Sequence, residues 1–179
     1  MFNQTGTGID SMNTPSPIVQ VDTREQSILP IEAYRLETVT LPVGDYGIRG
    51  FSDWNNPRFI VERKSLDDLV SSLTGERDRF MREIEKLRQF GFRAILVEGL
   101  EAEIHFRQYR SLARPQSILA SLAAIQTRAN VHVIWCGDPT GAARSLERLV
   151  RQFVRGIEKD AKRLNDSLAE KEIAPCGAV

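Results

Sequence analysis

Cysteine is scarce in this chain. Cys136 and Cys176 stand far apart with no paired spacing, which excludes a disulfide framework and a zinc knuckle. A reducing, intracellular setting follows, cytoplasm or nucleoid, or nucleus in a eukaryote. The two histidines, His105 and His132, are read as a surface and a core residue rather than as catalysts. No apolar run approaches the roughly 20 residues of a transmembrane helix, so no membrane partner is expected. The first 17 residues lack the basic and apolar regions of a secretory signal. An excess of charge is missing too, since 24 basic residues face 24 acidic ones. That balance argues against nucleic acid coating the whole surface and leaves local basic patches as the only route to it.

What remains is an ordinary globular composition, 41% hydrophobic and 27% charged over 179 residues, enough for one α/β domain with its own core. Residues 1–17, rich in Asn, Thr, Ser, Gly and Pro, read as a flexible leader, and residues 166–179 as a flexible tail. The domain between them spans residues 18–165. Ile18–Asp22 reads as a short strand ending in charge. Tyr34–Leu41 alternates as a half-exposed strand, and Arg58–Lys64 is a third, so 34–64 predicts an antiparallel meander. Ser65 reads as the N-cap of a helix that stops near Gly75, with a second helix over about 76–90. Ala94–Val97 and Val131–Trp135 are continuous apolar runs, which predict buried, parallel strands. A helix from Pro115 to about Arg128 lies between them, and a last helix runs over about 140–165. The sum is a central mixed sheet with helices on both faces.

Chemistry concentrates at three places. In Phe59–Lys64 the strand period of two puts Glu62 and Lys64 on one face, with Ile60 deeper, and turns Val61 and Arg63 away. A Glu-x-Lys triplet alone is weak, since its bland reading is a surface ion pair. The second place is Pro42-Val43-Gly44-Asp45, where glycine permits a tight turn before a carboxylate. Two acids brought together repel each other, and a hard divalent cation is the common reason for their convergence. With no His or Cys in the cluster, Mg²⁺ or Mn²⁺ is favoured over zinc. The third place is Asp22-Thr23-Arg24-Glu25, where Asp22 can complete a metal site and Arg24 can bind phosphate or orient a carboxylate.

Taken in order, these motifs resemble the XPF-type structure-specific nucleases, a branch of the PD-(D/E)XK, restriction-endonuclease-like fold. The resemblance rests on Gly44-Asp45, then Glu62-Arg63-Lys64-Ser65-Leu66-Asp67-Asp68, with Asp22-Thr23-Arg24-Glu25 before them and Gly75-Glu76-Arg77-Asp78-Arg79-Phe80 after. It covers roughly residues 18–155. It implies that Asp45 and Glu62 ligate a metal and that Asp22 supports the site or a second metal. Lys64 would position the attacking water or offset charge on the phosphate. Arg63 would contact the phosphate or brace the site, and Asp68 would help hold the lysine and arginine. Arg24 and Glu25 would form the supporting shell. The implied activity is metal-dependent hydrolysis of phosphodiester bonds in DNA, with flaps and forks as the substrate. A non-catalytic DNA-binding or scaffolding module and a same-fold nuclease acting on unbranched DNA or RNA are the alternatives. The acidic residues at Asp22, Asp45, Glu62 and Asp68 argue against the non-catalytic one.

Bland readings compete at several positions. Asp67 reads as a helix cap, and Trp54 as a loop-packing residue before a base-stacking one. Arg77 and Arg79 divide evenly between a solvated face and DNA contact. On the last helix Arg144, Arg148, Arg151, Arg155, Lys159 and Lys162 form a basic stripe. The stripe reads first as a solvated face and second as a DNA contact. Leu146, Val150, Phe153, Ile157, Ala161 and Leu164 line its apolar side. The family resemblance makes part of that side a dimer interface. No helix-hairpin-helix pair or helicase is legible here, so DNA targeting is expected from a symmetric homodimer or a heteromeric partner.

Overall fold

The computed structural model describes residues 16–172, with side chains through residue 168. Nearly all of the expected leader, and residues 173–179 of the expected tail with Cys176, lie outside the described residues.

Six strands form one mixed sheet. They are β1 (Ile18–Asp22), β2 (Arg35–Val39), β3 (Tyr46–Ile48), β6 (Phe59–Ser65), β7 (Phe92–Glu98) and β8 (His132–Trp135), and their order is β2-β1-β3-β6-β7-β8. β4 (Ser52–Asp53) and β5 (Asn56–Pro57) form a small antiparallel ribbon where the sequence predicts only a turn. The expected meander is corrected. β1 inserts between β2 and β3 and pairs with β2 in parallel, Ile18 opposite Arg35. Parallel neighbours need a crossover of about a dozen residues, and residues 23–34 supply it. Leu29 anchors that crossover in the core, where its N–H donates to the Tyr46 hydroxyl at 2.9 Å.

The strand period sorts the sheet into two faces. Leu41, Val43, Ile60, Ile95 and Val97 pack under α1 (Leu66–Leu73), α2 (Arg77–Leu87), the short α3 (Glu101–His105) and α4 (Pro115–Ala129). Val19, Val21, Tyr46, Phe59, Val61 and Leu96 pack under Ala142, Ala143, Leu146 and Val150 of α5 (Pro139–Glu172). α1 starts where expected, because the Ser65 hydroxyl accepts the Asp68 N–H. α3 was not legible. α5 runs past Asn165, the expected helix end, to Glu172. β7 is buried as expected, but β8 is only half-buried because it forms the sheet edge. His132, expected in the core, is exposed and stacks on Phe92 with ring centroids 5.4 Å apart. Trp54 packs against Phe90, centroids 5.6 Å apart.

Candidate active site

Topology brings the acidic motifs together. β3 runs antiparallel to both β1 and β6, so its start lies beside the end of β1 and the middle of β6. Those three places carry Asp45, Asp22 and Glu62. The backbone of Asp45 is tied on both sides: its N–H donates to Val61 O at 2.9 Å and its carbonyl accepts the Asp22 N–H at 2.8 Å. Its carboxylate accepts the Arg63 N–H at 2.7 Å, which fixes the side chain as well.

Gly44 makes this approach possible. It sits at φ +73°, and a Cβ there would meet Ile60 Cγ1 at 2.8 Å and Val61 O at 3.0 Å. A backbone oxygen cannot swing aside, so Gly44→Ala must displace the turn that carries Asp45. We expect a stability loss of about 2–4 kcal/mol, combining strain at positive φ with the clash. On the nuclease activity that the sequence resemblance implies, cleavage is also expected to fall by on the order of 10²-fold from misplaced chemistry. Gly50→Ala is the control: φ is +81° there too, but nothing lies within 4 Å of the added carbon, so only the backbone cost of about 1 kcal/mol applies. Thermal melts and cleavage rates that are equal for the two variants would refute this account of Gly44.

Glu62 is buried at 5% exposure, and Asp45 is half-buried. Burial pushes the Asp45 carboxyl up to about 6, against an ordinary 3.8. Burial, and then the Asp45 charge, push Glu62 well above the usual carboxylate range. Lys64 donates to Glu62 Oε1 at 3.0 Å and lies 3.9 Å from Glu83 Oε2 and 5.1 Å from the Phe80 ring centroid. Burial opposes its charge, but Glu62 and Glu83 outweigh that and raise its pKa. Lys64 is therefore a fixed cation beside two carboxylates that resist being charged together.

The remaining expected residues sort by what they touch. Asp22 has both oxygens engaged: Oδ1 accepts from Arg24 N at 2.8 Å and Nε at 2.5 Å, and Oδ2 from Arg24 Nη2 at 3.0 Å and Leu41 N at 2.7 Å. Burial works against its charge, but these bonds outweigh it and lower its pKa. Arg24 is thereby held at the cleft rim. Arg63 points to the opposite face, as the strand period requires, and binds Glu98 at 2.6 Å, Glu25 at 3.1 Å and Ser27 O at 2.5 Å. Asp68 accepts from the Ser65 hydroxyl at 2.7 Å at the start of α1. Asp67, read as a cap, instead accepts the Arg110 N–H at 2.8 Å. Arg77 is tied to Leu73 O and Ser121 Oγ. Arg144, Arg148, Arg151 and Arg155 ride on α5, whose packing places that helix across the sheet from the Ile60 and Glu62 face. They do not line the cleft.

The cleft itself, about 360 Å³, is lined by Arg24, Pro42, Val43, Gly44, Asp45, Glu62 and by Arg79, Arg82, Glu83 and Lys86 of α2. Arg82, Glu83 and Lys86 were missed from sequence. The available signal was helical spacing: Arg82 and Lys86 share the exposed side of α2 with Arg79, and Glu83 flanks the Phe80–Ile84–Leu87 apolar stripe.

The family model of the ERCC4 domain matches residues 21–149. The chain belongs to the ERCC4 domain family of nucleases. Among curated proteins this ERCC4 chain is similar to the DNA repair endonuclease XPF of Cricetulus griseus, 31% identical over 149 residues. The match covers 76% of the present chain and 15% of that protein. Among solved structures it resembles XPF from Aeropyrum pernix, with a TM-score of 0.61, 30% identity and coverage of 76% of this chain and 61% of that one. The same archaeal protein in complex with DNA matches with a TM-score of 0.61 at 28% identity, covering 78% of this chain and 66% of that one. The chain therefore spans a minor part of the curated relative and about three-fifths of the first solved one. The mixed sheet with flanking helices is the fold they share.

The donor set can be tested against the metal that the family implies. Among the described residues no group of three or more His, Cys, Asp and Glu side chains is placed to hold an ion. Two carboxylates remain, Asp45 and Glu62, buried together at a cost that a hard cation would remove. Mg²⁺ suits such a pair, since it keeps several waters and takes one or two carboxylates plus substrate phosphate. Among the described residues no helix is long and apolar enough to cross a membrane.

Proposed function

We propose that this ERCC4 chain is a divalent-metal-dependent endodeoxyribonuclease that hydrolyses phosphodiester bonds in branched DNA such as flaps and forks. The observation that carries this reading is the convergence of Asp45 and Glu62 in one cleft, with Lys64, just behind the cleft lining, paired to Glu62. Asp45 and Glu62 hold the ion. Bound Mg²⁺ or Mn²⁺ supplies charge that offsets the two acids and polarises the scissile phosphate. Lys64 offsets charge developing on the phosphate, or orients the water that attacks it, from a position that costs no rearrangement during reaction. Arg24, clamped by Asp22, presents the outer edge of its guanidinium to a phosphate oxygen. In this reading Asp22 acts through Arg24 rather than on the metal. Asp68 shapes the first turn of α1 and so the end of the strand that carries Lys64. A substrate of this kind places the protein inside the cell. Leu164 and Leu168 are exposed on the far part of α5, which supports assembly with a second copy or a targeting partner through that helix.

The test incubates pure protein with end-labelled 3′-flap, fork, duplex and single-stranded DNA, with Mg²⁺ or with chelator. Metal-dependent cutting of flap and fork alone is the expected result. Equal cutting of every substrate would keep the chemistry and discard the preference for branches. A gel shift of branched DNA with no cutting would replace the nuclease by a binding module.

A further inference from the structure

One wall of the cleft is a helix face whose cations the chemistry above does not use. Arg79, Arg82 and Lys86 of α2 line the cleft on the side away from β1 and β3. Taking the cleft to be a DNA-cutting site, we propose that these three side chains form a rail that grips the phosphates of the cut strand next to the scissile one.

The face is fixed rather than adjustable. Phe80, Ile84 and Leu87 are buried on the opposite side of the same helix, so α2 cannot rotate without losing its packing. All three cations are exposed. Among the described residues, Arg82 and Lys86 have no carboxylate within ion-pair distance. Glu83 lies between them in sequence, but its carboxylate is turned inward, 3.9 Å from Lys64 Nζ. Among the described residues Arg79 pairs with Glu76 alone, on the helix N-terminal side. A helix face that sends its one acid to the reacting lysine and leaves its cations facing the cleft is complementary to a polyanion. The scale fits as well. From residue 79 to residue 86 the helix rises about 10 Å, and one strand presents a phosphate every ~3.4 Å of axis. The rail therefore spans about three phosphates. Because phosphates carry no sequence information, the grip is expected to be indifferent to sequence.

The test is the salt dependence of binding, read by fluorescence anisotropy of labelled 3′-flap and single-stranded DNA in chelator, so that no cutting is needed. Each phosphate contact adds roughly 0.7–0.9 to the slope of log K against log salt. Arg82→Gln and Lys86→Gln are each expected to lower the slope by about that amount, and the double variant by about twice as much, whatever the DNA sequence. Arg88→Gln is the control, at the C-cap of the same helix but paired with Glu85 and absent from the cleft, and its slope should match wild type. Melting temperatures equal to wild type confirm that the variants fold. Slopes unchanged in Arg82→Gln and Lys86→Gln overturn the rail, and so does an equal fall in Arg88→Gln. The nuclease reading is separable. A protein that binds DNA but does not cut it with Mg²⁺ removes that reading, while the slopes still decide the rail. A wild-type protein that binds no DNA removes both.

Discussion

Asp45→Asn is expected to cut flap DNA at least ~10³-fold more slowly than wild type, and to unfold at a higher temperature in chelator. The first effect follows, on the nuclease reading proposed above, from losing one of the two acids assigned to the ion, a change worth several kcal/mol in the transition state. The second follows from linkage. Burial holds the folded Asp45 at about 6 against an ordinary 3.8, so between those values the folded state keeps a proton that the unfolded chain has lost. Stability from that proton is complete below about 4, falls as pH rises through about 6, and is absent at neutral pH. The deficit in wild type at pH 8 is on the order of 1–3 kcal/mol. Asparagine carries no such deficit, and its amide oxygen can still accept the Arg63 N–H now bound by the carboxylate. For a domain of this size the gain is about 2–4 °C per kcal/mol. Melting both proteins at pH 5 and pH 8 checks the point. The variant should lead by several degrees at pH 8 and by about half as much at pH 5, because part of the proton's stabilisation is already lost there, and Mg²⁺ should raise the wild type far more than the variant at pH 8. A variant less stable than wild type at pH 8 would refute the claim that burial keeps these acids uncomfortable. Function and stability are then opposed at one residue, as expected of a site built to hold a cation.

Much of the fold was legible because it is written in local patterns. β6 and β7 announce themselves as apolar stretches of strand length, and α1 and α4 by Ser65 and Pro115 at their starts. The position of β2 was not legible. Alternation along 34–41 says that the strand is half-exposed, but an edge strand beside β1 and one beside β3 satisfy that pattern equally. The choice is made by the crossover at 23–34 and its anchor Leu29, a long-range matter. β8 shows the converse limit. Its apolar run predicts burial, yet the sheet ends there, and α4 covers it on one side only.

The site divides along the same line. The residue pattern placed Glu62 and Lys64 on one strand face and Arg63 on the other, and the structure keeps that division. What the pattern could not say is which helix closes the cleft. Arg82, Glu83 and Lys86 belong to the site only because the Phe80 stripe turns α2 with its charged side toward Asp45. The α5 arginines make the opposite case. Their periodicity is as good, but the apolar side of that helix packs across the sheet, and no count of basic residues reveals which face a helix covers.

Arg63 gives the largest expected effect on stability. Its side chain is 12% exposed, between Glu25 at 10% and Glu98 at 12%. Both acids are largely withdrawn from water, and this one guanidinium bridges them while its Nη1 also donates to Ser27 O. Removing the cation leaves two nearly buried carboxylates without their shared partner, a situation that costs about 3–5 kcal/mol when one member of a buried pair is lost. Arg63→Ala should therefore melt roughly 6–20 °C below wild type, and its loss of cleavage should track the loss of folded protein. Arg63→Lys keeps a charge but not the fork that reaches both acids, so it should recover only part of the difference. The backbone N–H that holds Asp45 is retained in both variants, so cleavage by the folded fraction at low temperature should stay within about tenfold of wild type. That last measurement decides between the two roles the sequence allows. An arginine that contacts the phosphate would give the reverse pattern, an unshifted melt with cleavage lost, since charge-assisted contacts to the reacting group act on rate.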